Sequence, residues 1–89
     1  MNYMRIDRIY LIKTQPGELE RIKQLCIDYD IQDNGVFEKA APFHFAWGLG
    51  PNGLIILSLS TFLYQKPDFN SIEELEAFLE EMSENRNQA

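Results

Sequence analysis

Nucleophiles and metal ligands are scarce in this chain, which contains one cysteine, Cys26, and one histidine, His44. A single cysteine excludes a disulfide within the chain and is typical of proteins from reducing compartments. The scattered carboxylates do not combine with these two residues at the spacing of a zinc site, and the loops lack the aspartate pattern of a calcium site. We therefore expect neither a metal nor a disulfide framework.

Long apolar segments are also missing, since no apolar run approaches the ~20 residues of a membrane-spanning helix. Arg5, Asp7 and Arg8 interrupt the apolar residues near the N-terminus, unlike the continuous apolar core of a signal peptide. We expect a cytoplasmic protein that does not contact a membrane.

Basic residues are outnumbered, because eight Lys and Arg stand against 14 Asp and Glu, giving a formal net charge of −6. Phosphate backbones repel such a chain, so direct binding to nucleic acid is disfavoured. Such a charge is common in proteins for solubility alone, and it is also compatible with a partner that has a basic surface. A homodimer remains open.

The 89 residues are enough for one domain. Strand and helix patterns alternate in the order β-α-(β)-β-β-α, which predicts an α+β fold with two helices packed on one face of a small, mostly antiparallel sheet. The expected domain covers residues 1–82, and residues 83–89 form a polar C-terminal tail. Residues 35–41 fit either a short strand or a helical turn.

Residues 42–64 contain the clearest local signal, two apolar runs around Gly50-Pro51-Asn52-Gly53. This pattern predicts a β-hairpin. A three-residue loop with Gly53 at positive φ would place the odd-numbered apolar residues of both strands on one buried face. The expected cross-strand pairs are Leu49 with Ile55, Trp47 with Leu57, and Phe45 with Leu59.

The second predicted helix begins with a capping box, in which Ser71 is the N-cap and Glu74 follows three residues later. Its apolar stripe should face the first helix across the sheet. The residues expected to meet there are Leu19, Ile22 and Leu25 from the first helix, and Leu75, Phe78 and Leu79 from the second.

The outer face of the same helix has a row of glutamates, which we call the acidic row: Glu73, Glu76, Glu80 and Glu84. No base is interspersed among them, so their mutual repulsion has no compensation within the helix. A solvated helix face explains such a row, and so does a binding surface for a basic partner.

A second candidate surface is the even-numbered face of the predicted hairpin, where small side chains would let a partner, a ligand or another element approach closely. An ordinary solvated outer face of the sheet also explains them. The expected register places His44, Ala46 and Gly48 opposite Ser60, Ser58 and Ile56. We count His44, Ser58 and Ser60 with the acidic row as candidate partner-binding residues.

Catalytic and cofactor motifs receive little support. Cys26 lies on the apolar stripe of the first helix, where it fits a structural role better than a nucleophilic one. The letters Gly48-x-Gly50-x-x-Gly53 match a dinucleotide fingerprint, but a strand follows them instead of the required helix. We predict no catalytic residue and no cofactor.

Two functional hypotheses follow. The first is a small non-catalytic interaction protein: an inhibitor, an immunity protein or a regulatory subunit. Its composition resembles that of acidic phage and mobile-element proteins that block nucleic-acid-handling machinery, such as anti-CRISPR and anti-restriction proteins, although no motif supports that resemblance. The alternative is a small ligand-binding protein or enzyme with a cleft beside the sheet that uses His44 or Tyr64.

Overall fold

The computed structural model describes the backbone of residues 6–87 and the side chains of residues 6–83. It confirms the predicted α+β fold. In chain order the elements are β1 (Tyr10–Lys13), α1 (Leu19–Asp28), α2 (Val36–Lys39), β2 (Ala46–Gly50), β3 (Gly53–Ile56), α3 (Thr61–Tyr64) and α4 (Ile72–Asn87). α4 therefore extends past residue 83, where the polar tail was expected to begin.

The three strands form one antiparallel sheet in the order β1-β2-β3. Opposite residues on neighbouring strands share a face, so Ile12, Trp47 and Ile56 point to the same side of the sheet. Trp47 and Ile12 are fully buried there. The hydrophobic core lies against this side of the sheet.

The hairpin exists, but its predicted register is wrong by one residue. Gly50 pairs with Gly53 across a two-residue loop, and Trp47 therefore faces Ile56 instead of Leu57. Gly53 has φ +111°, as predicted. Leu54 and Ile56 consequently face the core side, while Ile55 lies opposite Gly48 on the other side of the sheet.

A loop distant in sequence explains this register. The backbone N–H of Leu54 donates to Gln32 O at 2.8 Å. The side-chain amide of Asn34 donates to the carbonyl oxygens of both Asn52 and Leu54 at 3.0 Å. These bonds hold the hairpin turn against residues 32–34, and they require the pairing that the structure shows.

The core assignment of the two long helices is largely confirmed. Ile22, Leu25, Leu75 and Leu79 are buried in one cluster with Trp47. Leu19 and Phe78 are only partly buried against this cluster. The Phe78 ring packs beside Tyr10 and Phe69, with ring centroids 4.9 and 5.0 Å away.

The structure defines the secondary structure of two further segments, one that the sequence left ambiguous and one that it predicted as a strand. Residues 35–41, which were left open between strand and helix, contain the single helical turn α2, and Gly35 precedes it at φ +75°. The apolar run after β3 was expected to continue as a strand as far as Leu59. Instead the strand ends at Ile56, and the chain turns into α3.

The outer edge of β1 is covered by residues 68–69. The backbone N–H of Lys13 donates to Phe69 O at 2.9 Å, and the backbone N–H of Leu11 donates to the Asp68 carboxylate at 2.7 Å. Arg8 lies 3.1 Å from the same carboxylate. These contacts protect a sheet edge that could otherwise pair with another chain.

The Asp68 contacts predict a specific pH dependence. The hydrogen bond from Arg8, and then that from the Leu11 backbone, lower the pKa of Asp68. A carboxyl with a lowered folded-state pKa stabilises the fold above its unfolded pKa of about 3.9, and this contribution disappears as the pH falls through the folded-state value. Asp68→Ala should lower the free energy of unfolding by about 1 kcal/mol at neutral pH.

Urea unfolding of both proteins from pH 7 to pH 2 measures this effect. The difference between wild type and Asp68→Ala should shrink below pH ~4, where the carboxyl becomes protonated first in the unfolded chain and then, at lower pH, in the folded one. A difference that stays constant over the whole range would show that Asp68 acts through packing and not through its charge.

Candidate functional site

The acidic row lies on a helix whose opposite face is fixed in the core. Ile72, Leu75 and Leu79 on α4 are buried, with exposed fractions of 1, 2 and 0%. The Ser71 hydroxyl accepts a hydrogen bond from the Glu74 N–H at 3.2 Å, so half of the predicted capping box is present. The Glu74 carboxylate instead accepts the N–H of Asn70 at 3.4 Å.

The sequence suggested that no base compensates the acidic row, but the structure shows one from another helix. Arg21 on α1 reaches across to Glu73, with its Nη2 2.7 Å from Oε2, and also binds Glu18. The hydrogen bond from Arg21 lowers the pKa of Glu73. Spacing along α4 alone could not reveal a base that comes from another helix.

The remaining members of the row are more available for binding. Glu76 and Glu80 are exposed, and within residues 6–83 neither has an ion-pair partner. Glu84 belongs to α4, but its side chain lies outside the described part of the chain. The described acidic row therefore consists of one paired carboxylate and two unpaired ones.

His44, one of the candidate partner-binding residues, is buried, with 7% of its surface exposed. Its Nε2 lies 2.7 Å from Ala46 O. A carbonyl oxygen only accepts, so Nε2 must hold the proton and donate. The ring also packs edge-on against Trp47, with centroids 4.9 Å apart. These contacts give His44 a structural role at the beginning of β2.

The predicted face with His44 opposite Ser60 does not form. Because β3 ends at Ile56, Ser58 and Ser60 lie in the turn before α3, where both are exposed. Their hydroxyl oxygens are 2.8 Å apart. The Gly48 position is filled by neighbours, since a Cβ there would lie 2.9 Å from the Ile55 side chain and 3.2 Å from that of Ile9.

An exposed apolar surface at the same end of the hairpin was missed by the sequence interpretation. We call it the apolar patch: Phe43, Leu59, Leu63 and Tyr64, with exposed fractions of 58, 42, 77 and 84%. The Leu57 N–H donates to Ala46 O at 3.1 Å, so the segments before β2 and after β3 leave the sheet side by side. The alternating apolar pattern predicts a strand here, and a strand does not indicate the exposed helical turn α3.

Cys26 is buried on α1, as its place in the apolar stripe predicted. Burial, and to a smaller extent the charge of Asp33, raise the pKa of the Cys26 thiol to about 12. A thiol with that pKa is almost entirely protonated at neutral pH and is a poor nucleophile. Within the described residues no hydrogen bond joins Cys26 to His44.

A groove of about 670 Å³ lies on another side of the molecule, between residues 30–34 and the hairpin turn 49–53. Ile6, Ile31 and Leu49 supply its apolar lining, and Asp30 and Asp33 are the acidic residues beside it. Neither His44 nor Tyr64 lines this groove. In the part of the chain that the structure describes, no group of three or more His, Cys, Asp and Glu side chains could hold a metal ion.

None of the helices in the described range is both long and apolar enough to cross a bilayer. Comparisons of the chain with protein-family models, with curated proteins and with solved structures found no match.

Proposed function

We propose that this chain is a small non-catalytic interaction protein that binds a basic surface of another protein through the acidic row. The observation that supports this most is the placement of Glu76 and Glu80. Both are exposed on α4, whose buried face keeps them in a fixed row, and within residues 6–83 no cation pairs with either. Two carboxylates that no cation within residues 6–83 neutralises can attract Lys or Arg from outside.

The overall charge supports the same partner class. A net charge of −6 on 89 residues attracts a cationic surface over a distance and accelerates encounter with it. Proteins that handle nucleic acid have such basic surfaces because they bind phosphates. An inhibitor of that machinery, including one of the anti-CRISPR or anti-restriction kind, is the most specific form of this proposal, beside an immunity protein or a regulatory subunit.

The ion pair of Glu73 decides which variants test the proposal. Reversing Glu73 would bring a lysine against Arg21 and would disturb the contact between α1 and α4. Glu76→Lys combined with Glu80→Lys avoids this contact. Glu20→Lys combined with Glu38→Lys changes the net charge by the same amount at exposed positions on α1 and α2 and is the matched control.

We expect the Glu76→Lys/Glu80→Lys variant to lose capture of its partner from a lysate of the organism that encodes the chain, with affinity lowered about tenfold or more by like-charge contact. Its thermal stability should hold or rise, because self-repulsion along α4 decreases. Affinity capture with quantitative mass spectrometry measures the loss. Equal capture by this variant and wild type, or equal loss in the control, would contradict a role for the acidic row.

The alternative function, binding of a small ligand, is favoured by one observation, the groove beside residues 30–34. Because His44 and Tyr64 do not line it, that function would depend on different residues from those expected. Asp30 and Asp33 would select a cationic ligand such as an amine. Chemical-shift changes at Ile31 and Leu49 in a screen of small amines would support this alternative.

A further inference from the structure

We propose that the apolar patch is the interface of a symmetric homodimer. This inference goes beyond binding of a basic partner, and it concerns a different surface from the acidic row. Leu63 and Tyr64 on α3 are 77 and 84% exposed, and Phe43 is 58% exposed. Exposed apolar side chains that form one contiguous surface mark association sites, and Leu59, Leu63 and Tyr64 lie close together along the chain.

The charge distribution indicates that the occupant is a second copy of this chain. Between Lys39 and Lys66 the sequence contains no Asp, Glu, Lys or Arg. Two copies with a charge of −6 repel each other wherever their acidic faces meet. A two-fold contact through the apolar patch brings the same uncharged residues together from both copies, and thereby avoids that repulsion.

A basic partner fits this surface poorly, because the segment supplies no carboxylate to receive Lys or Arg. Hydroxyl groups at its margin, from Ser58, Ser60 and Tyr64, can form hydrogen bonds without adding charge. The centre of a homodimer interface is more apolar than the rest of the surface, enriched in aromatic residues and depleted of charged ones. The charge of the patch and the chemistry of its side chains therefore both favour self-association.

Opposite responses to salt separate this inference from the proposed function. Binding through the acidic row should weaken as salt screens the attraction. Dimerisation through the apolar patch should hold or strengthen with salt, since screening decreases the repulsion between two acidic copies. Failure of one proposal therefore leaves the other standing.

Sedimentation equilibrium over a range of protein concentrations, at low and at high salt, tests the dimer. Wild type should approach twice the 10.4 kDa chain mass as concentration rises. Leu63→Glu should weaken the dimer roughly tenfold or more, because two carboxylates would meet across the two-fold axis. Tyr64→Glu serves as a second variant at the most exposed position of the patch.

Ile27→Glu is the matched control, because Ile27 is a 67% exposed aliphatic residue on α1, outside the apolar patch. It should dimerise like wild type, and circular dichroism should show all three variants folded. A wild-type protein that remains monomeric at every concentration would overturn the inference. So would a dimer that both patch variants leave intact, or one that Ile27→Glu disrupts equally.

Discussion

Trp47→Ala should lower the free energy of unfolding by about 3–5 kcal/mol, the usual cost of removing a buried tryptophan side chain. Trp47 is fully buried on the central strand β2, where its ring lies beside Phe37 and His44. Its Nε1 donates to Thr14 Oγ1 at 3.0 Å, and that hydroxyl is buried too. A chain of this length has a total stability of roughly 4–13 kcal/mol, so the variant should unfold at a clearly lower temperature and urea concentration than wild type.

Trp47→Phe separates packing from hydrogen bonding. It retains a large ring but removes the donor to Thr14, and it should cost about 1–3 kcal/mol, less than Trp47→Ala. Urea unfolding followed by circular dichroism measures both variants without relying on tryptophan fluorescence. Equal losses in the two variants would mean that the hydrogen bond, and not the ring volume, dominates at this site.

Gly53→Ala should destabilise the protein by roughly 2–6 kcal/mol, from two independent causes. The first is backbone strain, because φ is +111° at this residue and side chains resist that region at about 1–3 kcal/mol. The second is overpacking of a similar size, since the new Cβ would overlap Gln32 O and lie 2.9 Å from Gln32 Cβ. Thermal and urea unfolding of the variant measure the sum.

Gly17→Ala is the matched control for this substitution. Gly17 also has positive φ, +89°, but a Cβ there would meet nothing within 4 Å. Its cost should be limited to the strain of roughly 1–3 kcal/mol. If Gly53→Ala costs no more than Gly17→Ala, residues 32–34 do not hold the hairpin turn as tightly as their hydrogen bonds indicate.

Local patterns predicted β1, the two long helices and the hairpin, but they predicted neither α3 nor the hairpin register. The turn residues located the hairpin, and the apolar spacing identified α1 and α4 together with Ser71 at the N-cap. The register depends on hydrogen bonds in which the Gln32 carbonyl accepts from Leu54 and the Asn34 amide donates to the hairpin turn, and these residues are distant in sequence and match no local pattern. The odd-numbered stripe of Ile55, Leu57 and Leu59 suggested a longer strand than the chain forms.

For the candidate surfaces too, local patterns predicted some features, whereas contacts between distant segments could not be predicted. The exposed face of α4 followed from its helical spacing, because burial of Ile72, Leu75 and Leu79 determines where the glutamates point. The Arg21 ion pair to Glu73 joins two helices and could not be read from either one alone. The apolar patch could not be predicted, because over so few residues an apolar run fits a strand and a single helical turn equally well.

Association kinetics with the captured partner, at low and at high salt, tests the central proposal of a charge-steered interaction most directly. The account predicts a wild-type association rate that falls as salt rises, and a Glu76→Lys/Glu80→Lys variant that associates more slowly than the Glu20→Lys/Glu38→Lys control at low salt. The rates of the two variants should converge at high salt. An association rate that neither salt nor the two reversals change would contradict binding through the acidic row.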